Sequence, residues 1–191
     1  VVVEGRLTTS WVHQGYIEPQ VSMAEFDDDG ILHITAATQG TFYTRSELAR
    51  LFGLPIAAVR VTGATLGGGF GGKALVIDPL SAAAALVLRR PVRVELTRLE
   101  DFRMTNPAPA AILDLQLGAT SDGRLRGLRA RLRFETGGFA ENSIEGIAAI
   151  LTVGPYHWDA HEVVAYGVET NRVGTGAYRA PGAPQATFAL E

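Results

Sequence analysis

Cysteine is absent from all 191 residues. Disulfides, thiolate zinc sites and protein-ligated iron–sulfur clusters are therefore excluded from this stretch. That absence suits any redox compartment. Lysine is nearly absent: Lys73 is the one lysine among 17 basic residues. An excess of one charge is lacking too. Seventeen basic residues against 20 acidic ones leave −3, which gives no general pull towards nucleic acid or membrane. No apolar run reaches the ~18 residues that a transmembrane helix needs. No targeting signal is legible, and a cytoplasmic location is the expectation.

What is present points to a folded chain. Hydrophobic residues make up 47% of it, which excludes intrinsic disorder. A chain of this size buries roughly 70% of its unfolded surface, enough for one ordinary domain or two small ones. The stretch reads as a domain fragment, 1–191, truncated at both ends. It opens on Val1-Val2-Val3-Glu4, and a helix starting near Pro184 stops before it can cap. Glycine is abundant at 22 residues, and six of these lie from Gly63 to Gly72.

Local patterns predict mixed elements. Val21 to Glu25 and Ile31 to Ala37 form a hairpin around Asp27-Asp28-Asp29-Gly30. Ser46 to Phe52 reads as a helix stopped by Gly53 and Pro55, and Val59 to Thr62 as a strand. Asp78-Pro79 starts an alanine-rich helix through Leu88, with the aspartate as its cap. Pro91 to Thr97 is a strand. Ala111 to Leu117 and Arg124 to Phe134 form a second hairpin. In its second strand Leu128, Ala130, Leu132 and Phe134 share one face and Arg129, Arg131 and Arg133 the other. Leu125 is out of step, which predicts a bulge near Gly127. Ile144 to Val153 reads as a helix and Val163 to Val168 as a strand. Hairpins and helices mixed without strict βαβ alternation make the expected class α+β.

The segment Gly67-Gly68-Gly69-Phe70-Gly71-Gly72-Lys73 concentrates the unusual features. As a P-loop it has Gly67 and Gly72-Lys73 at the right spacing, but Ala74 stands where a magnesium-binding Ser or Thr belongs. As a dinucleotide fingerprint it has Gly67, Gly69 and Gly72, with Glu95 near the acidic position. Its helix signals come six residues too late, and Glu95 sits inside a strand pattern. A third reading uses neither motif: glycines let the backbone take positive φ, approach a flat or anionic group and aim successive amides at it. A tight turn between packed elements is the plain structural alternative.

Four segments in order carry a family resemblance. Gly67 to Lys73 resembles the GGGFGGK loop of the xanthine dehydrogenase/aldehyde oxidase family. His13-Gln14-Gly15-Tyr16-Ile17-Glu18-Pro19 is similar to its segment ending in Glu-Pro. Gln39 lies 31 residues before Phe70, where that family places an active-site glutamine. Gly176-Ala177-Tyr178-Arg179-Ala180-Pro181-Gly182-Ala183-Pro184-Gln185 resembles its second loop. The resemblance spans nearly the whole chain. It implies the family's molybdopterin-binding fold and a molybdenum–molybdopterin cofactor, as such or in its pterin cytosine dinucleotide form. Molybdenum would be held through the pterin dithiolene, so no protein ligand to metal is expected. Gln39 is implied to act catalytically, its carboxamide near the apical oxo ligand. Gly68, Gly69, Phe70, Gly71 and Gly72 are implied to line the cofactor, with main-chain amides of Phe70 and Gly71 directed at it. Arg179 is implied to approach from the other side. Such roles suit preorganised donors around an anionic centre.

Departures narrow the expectation. Purine-hydroxylating members carry a glutamate where this chain has Ala74, and an arginine where ungapped counting reaches Ile147. Without those charges a buried purine would lose polar partners. An aldehyde or apolar heteroaromatic substrate fits a pocket of Ala74, Ile147 and Pro181 better. Carbon monoxide dehydrogenases of the family place a copper-binding cysteine where Ala180 stands. The family's general base lies outside this region, and its iron–sulfur and FAD modules lie on other segments or subunits. The implied protein is thus a molybdenum hydroxylase using water as oxygen source, with this stretch alone inactive. The alternative is a non-catalytic binding or assembly module of the same fold.

Other residues read more plainly. A structural role is expected for Lys73, such as bonding loop carbonyls. His13 and Glu18, five apart around Gly15, suit neither a helical metal pair nor a strand face. His157 and His161 lie in an irregular stretch with Pro155 and Trp158. The Arg129, Arg131, Arg133 stripe reads as a solvated face. No nucleophile elbow marks hydrolase chemistry.

Overall fold

The computed structural model describes residues 1–139 and 143–191. In chain order the elements are β1 (Val2–Thr9), β2 (Val21–Phe26), β3 (Leu32–Ala36), α1 (Thr41–Phe52), β4 (Val59–Gly63), α2 (Asp78–Leu88), β5 (Val92–Glu95) and α3 (Arg98–Met104). These are followed by β6 (Ala111–Ala119), β7 (Leu125–Gly137), α4 (Ile144–Leu151), β8 (Ala160–Glu169) and α5 (Ala183–Leu190). The chain divides into two compact units, one of Gln14–Thr105 and one of Val1–His13 with Asn106–Glu191. Mixed sheets plus helices make each unit α+β.

In the Gln14–Thr105 unit the sheet order is β4-β3-β2-β5. The β2–β3 hairpin turns at Asp27, whose side chain accepts from the backbone N–H of Asp29 and Ile31, the side-chain-to-backbone bonding that favours aspartate in turns. β4 runs parallel to β3, so α1 is the crossover between them. Period-two alternation puts Ala24, Leu32, Ile34 and Ala36 on one sheet face, where they pack with Leu48 and Ala49 of α1 and Ala82 and Ala85 of α2. The alanines of α2 let its backbone approach the sheet closely.

In the other unit the order is β1-β6-β7-β8. Leu128, Ala130, Leu132 and Phe134 are all buried, and they pack with Leu113, Leu115, Ile144, Ala148 and Ala186. Arg129 and Arg131 are exposed on the opposite face, with Arg129 paired to Glu162 and Arg133 to Asp114. The register confirms the bulge: Gly118 faces Gly127, then Ala119 faces Leu125, leaving Arg126 as the extra residue. Here too the last strand, β8, is parallel to its neighbour β7 and follows a helix, α4. Each unit therefore contains a hairpin, a helical crossover to a parallel edge strand, and an antiparallel strand on the far edge.

Several elements differ from expectation. β1 has no legible signal because it is an edge strand with almost no buried residue, so its side chains do not alternate. α1 starts at Thr41 rather than Ser46; its N-cap is Gly40, with no side-chain cap bond, and its first residues are β-branched and aromatic. Asp78 is the first residue of α2 and not its cap, which is Ile77. The expected strand Pro91 to Thr97 ends at Glu95, because Thr97 is the N-cap of a helix, α3, that the strand reading hid.

Candidate functional site

The glycine segment lies between β4 and α2 in the Gln14–Thr105 unit. Two different demands require its glycines. Gly68 and Gly71 have φ of +93° and +101°, where a side chain is strained. Gly67, Gly69 and Gly72 are needed for space: a Cβ on Gly67 would lie 2.5 Å from the Glu18 Cβ, one on Gly72 would lie 2.7 Å from the Gln14 Cδ, and one on Gly69 would overlap the Gln39 carboxamide. At those three positions the backbone approaches the chain's own side chains. Phe70 itself adopts φ +52°, a conformation costing of order 1–3 kcal/mol for a residue with a side chain.

A clamp holds this segment at both ends. Glu18 Oε2 accepts from the Gly67 N–H at 2.8 Å and from Lys73 Nζ at 2.6 Å. The Lys73 side chain has no exposed area, while that of Glu18 is 31% exposed. Lys73 Nζ also stands 4.7 Å from the centroid of the Tyr16 ring, a cation–π distance. Burial pushes the Glu18 carboxyl up, but the Lys73 ammonium and the Gly67 N–H outweigh it, and its pKa falls below the usual value. The lysine is structural as expected, but it bonds a carboxylate and not loop carbonyls.

Beneath the clamp lies a buried polar network. Gln20 Nε2 donates to the Gly72 carbonyl at 2.7 Å and to the Tyr16 hydroxyl at 2.8 Å. Tyr16 donates to Asp101 Oδ1 at 3.1 Å, and Arg98 Nη1 donates to Asp101 Oδ2 at 2.9 Å. Burial raises the Tyr16 pKa to about 12, so the phenol stays neutral and remains a donor. Gln20, Arg98 and Asp101 were not singled out from the sequence. Arg98 and Asp101 belong to α3, whose signal was the Thr97-to-Glu100 capping box: Thr97 accepts from the Glu100 N–H, and Glu100 accepts back from the Thr97 N–H at 2.8 Å.

Gln39 is fixed in direction by the same loop. Its Oε1 accepts from the Gly71 N–H at 2.9 Å and the Lys73 N–H at 3.3 Å, and the Gln39 backbone N–H donates to the Lys73 carbonyl at 2.7 Å. Two donors on one end of the carboxamide determine which end is oxygen. Nε2 is then the outward end of an exposed residue, with two N–H groups to give and no acceptor among the described residues. The N–H groups of Gly68, Gly69 and Phe70 likewise meet no acceptor among the described residues. Of the two amides expected to face the cofactor, that of Gly71 is already given to Gln39. The result is a set of neutral donors in a segment with positive φ at Gly68, Phe70 and Gly71, a backbone able to form an anion-accepting nest. Lys73 is turned inward and α2 begins only at Asp78, so neither nucleotide motif is met.

Ala74 continues this loop, half-buried. Arg179, Pro181 and Ile147 lie in the other unit. There Arg179 and Ala180 have φ of 21° and 60° and are exposed, and Pro181 is half-buried. Gly182 then caps α5 at φ +78°, and a Cβ there would press 2.9 Å from the Ile144 carbonyl of α4. Ile147 lies on that helix, partly exposed.

Comparison with known proteins gives the family. The family model described as the molybdopterin cofactor-binding domain matches residues 1–191. The chain belongs to that family. The chain is similar to the nicotinate dehydrogenase large molybdopterin subunit of Eubacterium barkeri, at 32% identity over all of this chain and 46% of that subunit. It is similar to probable aldehyde oxidase 3 of Oryza sativa subsp. japonica, at 31% identity over all of this chain and 14% of the oxidase. Among solved structures, the aldehyde oxidoreductase of Desulfovibrio gigas superposes with a TM-score of 0.93 at 26% identity, covering all of this chain and 21% of that one. The chain thus spans less than half the length of these relatives.

The residues of this molybdopterin cofactor-binding domain suit an oxo-rich anionic group. The Gln39 carboxamide and the Gly68, Gly69 and Phe70 amides are neutral donors, and the nearby cation is already neutralised by Glu18. Among the described residues no group of three or more His, Cys, Asp or Glu side chains could hold a metal directly. No helix among them is long and apolar enough to cross a membrane.

Proposed function

We propose that this domain supplies the donor loop of a molybdenum-cofactor cleft in an oxidoreductase that hydroxylates aldehydes or heteroaromatics, with water as the oxygen source. One observation carries the reading: Gln39 is locked by Gly71 and Lys73 with its amide N–H groups outward, beside the unused N–H groups of Gly68, Gly69 and Phe70. Molybdenum–molybdopterin, as such or as the pterin cytosine dinucleotide, would supply the oxygen transfer and take up the electron pair of the oxidised C–H bond.

The chain's own residues bind and orient. Gln39 Nε2 donates to an oxygen on the anionic centre, and its fixed orientation spares that donor any reorganisation, the condition under which such bonds count most. The Gly68 to Gly72 backbone lines the cofactor, and Arg179 is a further cofactor-binding residue of this reading. Ala74, Ile147 and Pro181, the substrate-pocket residues of this reading, carry no charge, which suits an aldehyde or heteroaromatic ring. Aldehyde and nicotinate appear in the names of similar proteins, and both fall in this class. The general base and the iron–sulfur and FAD modules belong to other segments or subunits, residues 1–191 being one part of the domain in a cytoplasmic enzyme. Metal and pterin analysis of the full-length parent tests this: about one molybdenum and one pterin per chain are expected. An active preparation without molybdenum would leave the assembly-module reading in its place.

A further inference from the structure

We infer that Glu18 and Lys73 form a positioning pair that sets the donor loop and the direction of the Gln39 carboxamide, neither residue touching the cofactor. The inference rests on the function proposed above.

The geometry is specific. One carboxylate oxygen, Glu18 Oε2, binds the first residue of the loop through the Gly67 N–H and the last through Lys73 Nζ. Between those points the backbone has glycine at every position but Phe70, so the unclamped segment has far more conformations than an ordinary one of its length. Gly68, Phe70 and Gly71 must all hold positive φ at once. Closing both ends on one atom selects that state.

Lys73 passes the constraint to Gln39. Its N–H donates to Gln39 Oε1, its carbonyl accepts from the Gln39 N–H, and the Thr38 hydroxyl donates to that carbonyl at 3.4 Å. A Lys73 backbone held in place therefore keeps the carboxamide oxygen inward and Nε2 outward. Without it the amide keeps only the Gly71 N–H, which belongs to the same unclamped loop, and can turn to present its oxygen, which an anionic group repels. The pairing also removes the lysine's charge from the site. The loop then offers neutral dipoles of defined direction, not a mobile cation.

The test uses the full-length parent enzyme and its Lys73→Met and Glu18→Gln variants. Lys73→Met keeps the side-chain volume, and the Glu18 it leaves behind can be hydrated because it is partly exposed. Hydrogen exchange and molybdenum content are measured together. For both variants, amide exchange across Gly67 to Lys73 should rise at least tenfold while β2, β3 and β4 keep their protection. Molybdenum per chain should fall at least fivefold, with the melting temperature of Lys73→Met within a few degrees of the parent. Wild-type loop exchange in Lys73→Met would overturn the proposal. So would a rise spread equally over the three strands, which would make the pair general ballast for the fold. A wild-type parent without molybdenum would refute the proposed function instead, and the exchange measurement would still decide the clamp.

Discussion

Five glycines in six positions suggest a single cause, yet the loop has two. Gly68 and Gly71 are glycines because of backbone angle, whereas Gly67, Gly69 and Gly72 make room for Glu18, Gln39 and Gln14. The first cause was legible in the sequence, since positive φ is what consecutive glycines permit. The second was not, because it depends on side chains up to 58 positions away, as Gln14 is from Gly72. The two causes predict different failures. Gly71→Val in the full-length parent places a β-branched residue at φ +101°, and it should lower molybdenum occupancy or activity at least tenfold, equivalent to about 1.4 kcal/mol. Ala74→Ser is the control: it completes a P-loop pattern, and titration with ATP should show no binding, because Lys73 is buried against Glu18. A Gly71→Val enzyme with normal metal and turnover would leave the loop as a turn and nothing more.

Elements were readable where burial alternates and unreadable where it does not. β7 announces itself through Leu128, Ala130, Leu132 and Phe134, and even its bulge follows from the parity of Leu125. β1 pairs with β6 along its length but buries almost nothing, so no pattern marks it. α3 is the instructive case. It is too short for a helical period, and a strand pattern runs into it, yet its capping box lies in plain view at Thr97 and Glu100. Because α3 supplies Arg98 and Asp101 to the network under the glycine loop, its cap matters beyond its length. Thr97→Ala should destabilise the protein by about 1 kcal/mol, read as a lowered urea midpoint at unchanged slope. A larger loss of cofactor than of stability is expected, measured as molybdenum per chain.

At the scale of the whole chain, each compact unit has its own sheet and its own buried cluster. Expressed alone, residues 1–191 should fold, with far-ultraviolet circular dichroism showing mixed helix and strand, because local patterns and packing agree in both units. They should turn over no aldehyde, as the proposed base and electron carriers lie elsewhere. Hydroxylase activity in this stretch by itself would show the machinery to be misplaced. The sequence alone determined the hairpins, the bulge, the glycine loop and the family, because each is written in residues close together or in ordered motifs. Only the tertiary structure decided that Glu18 neutralises Lys73, that Asp101 and Tyr16 meet under Gly72, and which end of Gln39 faces outward. Those are directional contacts between residues distant in the chain. A charge or a hydroxyl in a sequence shows what it can bond, and the fold alone selects its partner.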